Sequence, residues 1–320
     1  MKKIYFLEPL GMPQSELKEI IEKILAEELS ANKAEIKYYD DRQTDPQVLI
    51  ERCAGADAVV LSNFPFPADV IKACPDLEYI NVAFTGYDHV AMDQAKSQNI
   101  QVSNCRGYST IAVAELVIGY ILSFYRKLIP ADQAVREEKT SKGFMGAELH
   151  GKTLGIIGLG DIGTKVAELA RAFDCKVLAY NRSPRELDGV ELLPLDEVLA
   201  KSDIISLHLP SNEETKHLIN AEKIALMQKH AHFINLARGP IVDSEALAVA
   251  LNEERIAGAY IDVFEMEPPI PTEHPLVQAR NCYLTPHIGF LSQESMYRRA
   301  EIVAENLKGY LKGKLQNLVN

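Results

Sequence analysis

Arg238, Glu267 and His287 each stand a few residues beyond a short apolar run, and together they offer the parts of a hydride-transfer site. Arg238 follows Phe233-Ile-Asn-Leu-Ala237 and precedes Gly239-Pro240. Glu267 comes shortly after Asp262-Val263-Phe264 and precedes Pro268-Pro269, and His287 follows Tyr283-Leu-Thr-Pro286 and precedes Ile288-Gly289. Ligands of open α/β sheets lie beyond the carboxyl ends of strands, where these three would sit. A guanidinium is a bidentate fork that fixes a carboxylate and polarises the carbonyl beside it. An imidazole exchanges the hydroxyl proton, and a carboxylate against its far nitrogen sets the tautomer and favours the protonated form. Taken singly, each has a plainer explanation: a helix-cap or phosphate contact for the arginine, a solvated turn for the glutamate, a structural histidine after proline.

The hydride carrier is suggested by the stretch Leu154-Gly-Ile-Ile-Gly158-Leu-Gly160-Asp-Ile-Gly163, an apolar strand running into a G-x-G-x-x-G turn and then a helical pattern over residues 164–173. That order forms the pyrophosphate cradle of a dinucleotide-binding βαβ unit. Gly158 permits the sharp turn, Gly160 lets the backbone approach phosphate, Gly163 lets the helix press onto the sheet, and the helix amides face the anion. An ordinary tight strand-to-helix turn is the alternative. An NAD site usually carries Asp or Glu after the second strand, to accept the ribose hydroxyls and repel a 2′-phosphate. Here Tyr180 is followed by Asn181-Arg182-Ser183, with no acid but with a cation and a hydroxyl for phosphate. The expectation is NADPH, with NAD as the alternative if Arg182 points to solvent.

These groups need a scaffold, and the rest of the chain supplies one. Its 320 residues suit two domains, and with 47% hydrophobic residues both can hold cores. Because the glycine turn begins only near residue 154, a sizeable domain must precede it. Residues 3–7, 35–39, 58–61 and 77–82 read as strands, and 17, 20, 21, 24 and 25 fall on one helical face that Ser15 would cap. Asp45-Pro46 is a second helix start, with proline at the first helical position. A long apolar helix is expected over residues 109–129. Later strands are expected at 176–180, 204–207, 232–236, 257–263 and 282–284, with a closing amphipathic helix over 292–311. The fold class is therefore α/β, two Rossmann-like domains with parallel sheets.

A formal charge of −11 argues against nucleic acid or an anionic membrane as partner. The five cysteines form no C-x-x-C pair and no metal-ligand spacing, so reduced buried thiols in a cytoplasmic protein, with no metal, are expected. No export signal is read at the amino terminus, and the apolar run over 111–125 is broken by Glu115 and too short to span a bilayer.

Five segments, residues 148–163, 207–210, 235–243, 262–268 and 285–289, resemble in order and spacing the signatures of the D-isomer-specific 2-hydroxyacid dehydrogenases. The resemblance implies that Arg238, Glu267 and His287 are the catalytic Arg-Glu-His set, with Arg238 and His287 also touching substrate. It implies a flavodoxin-like substrate domain made of residues 1–100 with 290–320, enclosing an NAD(P)-binding Rossmann domain over 101–289, with substrate in the cleft between them. Val82-Ala83-Phe84-Thr85-Gly86-Tyr87-Asp88 resembles the loop whose amides hold the substrate carboxylate near Ala83 and Phe84, with Thr85 reaching the cofactor. Family members usually carry a small residue where Phe84 stands, so a narrower pocket is expected. Asp161 and Ile162 match pyrophosphate contacts, Leu209 and Ala237 line the nicotinamide side, and Asp262 matches the residue that holds the carboxamide. Packing for Leu209 and Ala237, and a strand-end cap for Asp262, are the alternatives. His208 is read as structural.

The segment Asn104-Cys-Arg-Gly107-Tyr-Ser-Thr110 is similar to glyoxylate, hydroxypyruvate and glycerate enzymes, which makes a small 2-oxoacid the expected substrate. A D-3-phosphoglycerate dehydrogenase is the nearest alternative, although the chain leaves no room for an added regulatory domain. A nucleotide-sensing co-repressor scaffold is the alternative of another class. Formate dehydrogenases are disfavoured, because Glu267 holds a protonated histidine that a direct formate oxidation does not use. The family also implies a homodimer, with the long apolar helix and the charged segment up to His150 as its interface.

Overall fold

Strands made wholly of buried residues, such as Ala58–Leu61, Tyr79–Val82 and Ile204–Leu207, are what a parallel sheet covered on both faces demands. The computed structural model, which describes residues 1–183 and 185–320, contains two such sheets in two compact units, residues 1–109 with 291–320 and residues 110–290.

The first unit holds β1 (Lys2–Phe6), β2 (Ala34–Tyr38), β3 (Ala58–Leu61), β4 (Tyr79–Val82) and β5 (Gln101–Asn104), all parallel, in the order β2-β1-β3-β4-β5. That is the flavodoxin-like order. β5 pairs with β4, so the first unit extends nine residues past the boundary expected at residue 100. The closing helix, Gln293–Leu311, docks here through polar bonds: Asn81 Nδ2 donates to the Val303 carbonyl at 3.0 Å, and Asn306 Nδ2 to the Asn104 carbonyl at 3.0 Å. A Ser292–Ser295 capping box starts it.

The second unit holds β6 (Thr153–Ile157), β7 (Lys176–Tyr180), β8 (Val190–Leu192), β9 (Ile204–Leu207), β10 (His232–Asn235), β11 (Gly258–Ile261) and β12 (Cys282–Leu284). All pairs are parallel and the order is β12-β11-β10-β9-β6-β7-β8. Counted from β6 this is the Rossmann order with one strand added, and the switch point falls between β6 and β9.

Three local expectations are corrected. The apolar stretch over 109–129 is two helices, Thr110–Tyr125 and Leu128–Arg136, parted at Lys127, whose φ of 51° is left-handed. Pro130 explains the break, because in one continuous helix its ring would meet the carbonyl four residues back. Ser15 lies inside the Gln14–Ile24 helix, which Pro13 opens without any side-chain cap. The edge strand β8 was not expected. Asp45, by contrast, caps Pro46–Cys53 by accepting from the amides of Gln47 and Val48.

Candidate active site

The glycine turn sits where β6 meets the switch point. Gly158 has φ of 101°, and a Cβ there would lie 2.5 Å from the His208 carbonyl oxygen, so glycine is required twice over. A Cβ on Gly163 would lie 2.0 Å from the Gly158 oxygen. At Gly160 a Cβ would meet nothing within 4 Å, and the Asp161–Ala172 helix begins at the next residue, with Ile162 in its first turn. Open space facing the first amides of a helix is what a pyrophosphate needs. The residues therefore fit a dinucleotide.

The loop after β7 is stitched to this turn. Asn181 Oδ1 accepts from the Leu159 amide at 2.9 Å while its Nδ2 donates to the Ser183 carbonyl at 2.6 Å. Arg185, absent from the sequence-based set, donates to the Leu159 carbonyl in a short bond. Its only signal was a second arginine three residues after Arg182. Arg182 is exposed and paired with Glu214, and Ser183 is exposed beside it. Leu209 packs, half-buried, against the core below the sheet edge, and Ala237 is buried with its amide donating to Asn235 Oδ1 at 3.0 Å. His208 Nε2 lies 2.9 Å from Ser206 Oγ, and burial pushes its imidazole down to about 3, so it stays neutral and structural.

β10, β11 and β12 are adjacent, and their carboxyl ends deliver the three residues read as catalytic. Asn235 closes the turn after β10: its Oδ1 takes the Ala237 amide and its Nδ2 donates to the Arg238 carbonyl at 3.0 Å. Arg238, half-buried, donates from Nη1 to the Ala237 carbonyl at 2.8 Å. Beyond β12, His287 Nδ1 faces the Glu267 carboxylate, 2.9 Å from Oε2 and 3.1 Å from Oε1. The imidazole is 11% exposed and meets Phe290 edge-on at 5.3 Å.

His287 adopts φ of 56°, a conformation seldom taken by a residue with a side chain. Asp262, at the end of β11, holds it there. The His287 amide donates to the Asp262 carbonyl at 2.8 Å, and the buried carboxylate takes Thr285 Oγ1 at 2.6 Å, the Ile288 amide at 2.8 Å and the Gly289 amide at 2.7 Å. Tyr120 adds a short bond to Thr285. Both Asp262 oxygens thus accept from the turn that carries His287.

In the first unit, the Ala83 amide donates to the Leu61 carbonyl at 2.7 Å, prolonging the β3–β4 pairing. That amide is engaged within the sheet, which the reading of Ala83 as an amide donor to a carboxylate did not foresee. The loop is pinned by Asn104 Nδ2 on the Thr85 carbonyl at 2.7 Å and by the Cys105 amide on the Phe84 carbonyl at 2.9 Å. Phe84 is 4% exposed, its ring tilted over Tyr108 at 6.0 Å. Among the described residues no group of three or more His, Cys, Asp or Glu side chains is arranged to hold a metal ion, and no helix is long and apolar enough to cross a membrane.

Fold order, glycine turn and strand-end residues define a dinucleotide-binding oxidoreductase, and comparison with known proteins makes the class specific. Residues 118–289 match the D-isomer specific 2-hydroxyacid dehydrogenase, NAD binding domain, and the chain belongs to that family. It is 42% identical over 258 residues to a glyoxylate reductase of Thermofilum pendens, covering 78% of this chain and 76% of the relative. It is 36% identical to a hydroxypyruvate reductase of Blautia hydrogenotrophica, covering 87% and 89%. Among solved structures, an acyclic imino acid reductase (Bsp5) in complex with NADPH and D-Arg superposes with a TM-score of 0.90 at 30% identity, covering 99% of this chain and all of that one. The protein is an NAD(P)-dependent 2-hydroxyacid dehydrogenase, acting on a CH–OH group.

Proposed function

We propose that the protein reduces glyoxylate to glycolate or hydroxypyruvate to its D-2-hydroxyacid, with Arg238, Glu267 and His287 as its catalytic residues and NADPH as its preferred reductant. The observation that carries the reading is the His287 Nδ1–Glu267 carboxylate pair at 2.9 Å, on strand ends next to that of Arg238. Arg238 binds the substrate carboxylate and polarises the adjacent carbonyl. His287, through Nε2, gives a proton to the carbonyl oxygen during reduction and takes it back during oxidation. Glu267 fixes the ring and its tautomer, with the Nδ1 proton facing the carboxylate. The nicotinamide, when bound, supplies or accepts the hydride. Residues 110–290 hold the cofactor, with Gly158, Gly160, Asp161, Ile162 and Gly163 on the pyrophosphate, while the unit built on β1 to β5 receives the substrate through the loop that includes Phe84 and Thr85.

The small substrate is supported by the names of the similar relatives and by the 104–110 segment. NADPH is supported by the missing acid after β7, by Arg182, Ser183 and Arg185 in that loop, and by the NADPH carried by the Bsp5 reductase. A homodimer is supported by exposed Leu128, Ile129, Val135 and Met145, between 55% and 88% accessible, in the segment after the long helix.

The test is oxidation of NADPH and of NADH measured with glyoxylate, hydroxypyruvate and 3-phosphohydroxypyruvate. Glyoxylate or hydroxypyruvate with NADPH should give the highest kcat/KM, and His287→Ala should abolish turnover. Preference for the phosphorylated substrate would favour a phosphoglycerate dehydrogenase, NADH preference would refute the cofactor assignment, and absence of turnover with every 2-oxoacid would favour a nucleotide-sensing scaffold.

A further inference from the structure

Glu267 lies on an irregular stretch after β11, a kind of backbone that does not hold a side chain still by itself. Two residues earlier stands a second acid, Glu265, engaged elsewhere. Its Oε1 receives a short bond from Ser244 Oγ, and its Oε2 lies 3.1 Å from His274 Nε2. His274 is 8% exposed, and its Nδ1 accepts the Leu276 amide at 3.3 Å, opening the Pro275–Gln278 helix. With Nδ1 accepting, the ring proton is on Nε2 and points at Glu265. Burial works against ionising Glu265, but the bonds from Ser244 and His274 prevail and hold its carboxyl below the usual range.

The same peptide supports the arginine. A Cβ on Gly239 would lie 1.9 Å from the Phe264 carbonyl carbon and 2.4 Å from the Glu265 nitrogen, so the turn after Arg238 rests directly on it. The Phe264 ring meets His274 edge-on at 5.3 Å. The stretch before Glu267 is thereby clamped to the first turn of the Ser244–Asn252 helix, to the start of a second helix, and to the backbone under Arg238.

We infer that Ser244, Glu265 and His274 are positioning residues, a brace that fixes Glu267 against His287. The inference rests on the reading of Arg238, Glu267 and His287 as the catalytic set. Glu265→Gln keeps the shape but places an amide donor opposite Ser244 or His274, and His274 cannot answer by moving its proton while Nδ1 holds the Leu276 amide.

The test is 2-oxoacid reduction by Glu265→Gln, Glu267→Gln and the double variant. A misplacement of the reacting groups predicts a kcat lowered by about tenfold to a hundredfold in Glu265→Gln, with the cofactor KM unchanged because the glycine turn is untouched. If Glu265 acts through Glu267, its loss should largely vanish in the Glu267→Gln background, whereas a general structural defect would add in full. A wild-type kcat in Glu265→Gln, or an equal loss in both backgrounds, overturns the inference. Should Glu265→Gln fail to fold, Ser244→Ala decides, since it leaves the carboxylate with His274: a kcat reduced severalfold at constant cofactor KM supports the brace, and a wild-type kcat overturns it. Lack of 2-oxoacid turnover in the wild type would sink the reading of the site instead.

Discussion

Replacing Asp262 by Asn separates two roles that one carboxylate can play. It takes three donors, Thr285 Oγ1 and the amides of Ile288 and Gly289, while 1% exposed. An asparagine retains one acceptor oxygen. If that oxygen keeps Thr285 and Ile288, its amide nitrogen faces the Gly289 N–H, donor to donor, and a buried N–H is orphaned at a cost of about 1–3 kcal/mol. The surviving bonds lose their charge assistance, which adds about 1 kcal/mol. At roughly 2–4 °C per kcal/mol for a unit of this size, the melting temperature without cofactor should fall by about 4–16 °C. Catalysis should suffer as well, because the left-handed backbone of His287 is costly by about 1–3 kcal/mol and needs its neighbours to impose it. Once released, the imidazole leaves Glu267, and kcat should drop by about tenfold to a hundredfold. The assays are calorimetry of cofactor-free protein and steady-state kinetics with each substrate varied. An unchanged melting temperature together with a raised cofactor KM would refute this reasoning and return Asp262 to the nicotinamide carboxamide.

Gly163→Ala inserts a Cβ 2.0 Å from the Gly158 oxygen, so the helix must withdraw from the sheet; stability should fall by about 1–3 kcal/mol and NADPH affinity with it, as read by denaturant unfolding and fluorescence titration. Glu214→Gln frees Arg182 from an exposed ion pair that stabilises by about 1 kcal/mol at most, so the KM for NADPH should fall by up to about fivefold while that for NADH stays unchanged; Arg182→Ala should raise it. His232, packed against Phe124 at 3.7 Å, is pushed down to about 4, first by burial and then by His230. Between pH 6.5 and about 4 the unfolded chain therefore binds a proton that the folded one refuses, and this contribution to stability, complete above 6.5, drains away as pH falls. Melting temperatures measured across that window should show a decline that His232→Phe flattens.

What could be read beforehand was whatever a single strand and its next few residues determine. The glycine turn was legible because its spacing follows from its own geometry: a Cβ on Gly163 would meet the Gly158 oxygen inside the turn, while Gly160 leaves open space before the helix. Asp45-Pro46 was legible because a cap is a contact between residues two or three apart. The placement of Arg238, Glu267 and His287 beyond neighbouring strand ends was legible because each trails an apolar run by a few positions. β8 was not, since three residues on a sheet edge, two of them exposed, leave no periodicity. The helix break at Lys127 was signalled by Pro130 and overridden by an apolar run that continues through it.

The bonds that make the site rigid form the larger omission, and their cause is topological. Asp262 reaches Thr285, Ile288 and Gly289 across 23 to 27 residues, and Arg185 reaches Leu159 across 26. Those partners meet only because β12 lies beside β11 and β7 beside β6. A side chain's own neighbourhood in sequence says what it can donate or accept; the order of strands says who is there to receive it. Asp262 shows the consequence. Its bonds to the next strand's turn depend on how residues 285–289 fold back over β11, with His287 in a conformation that local sequence would not select. Once that turn is in place, both carboxylate oxygens receive its donors, and the position of His287 becomes a property of the pairing between two strands.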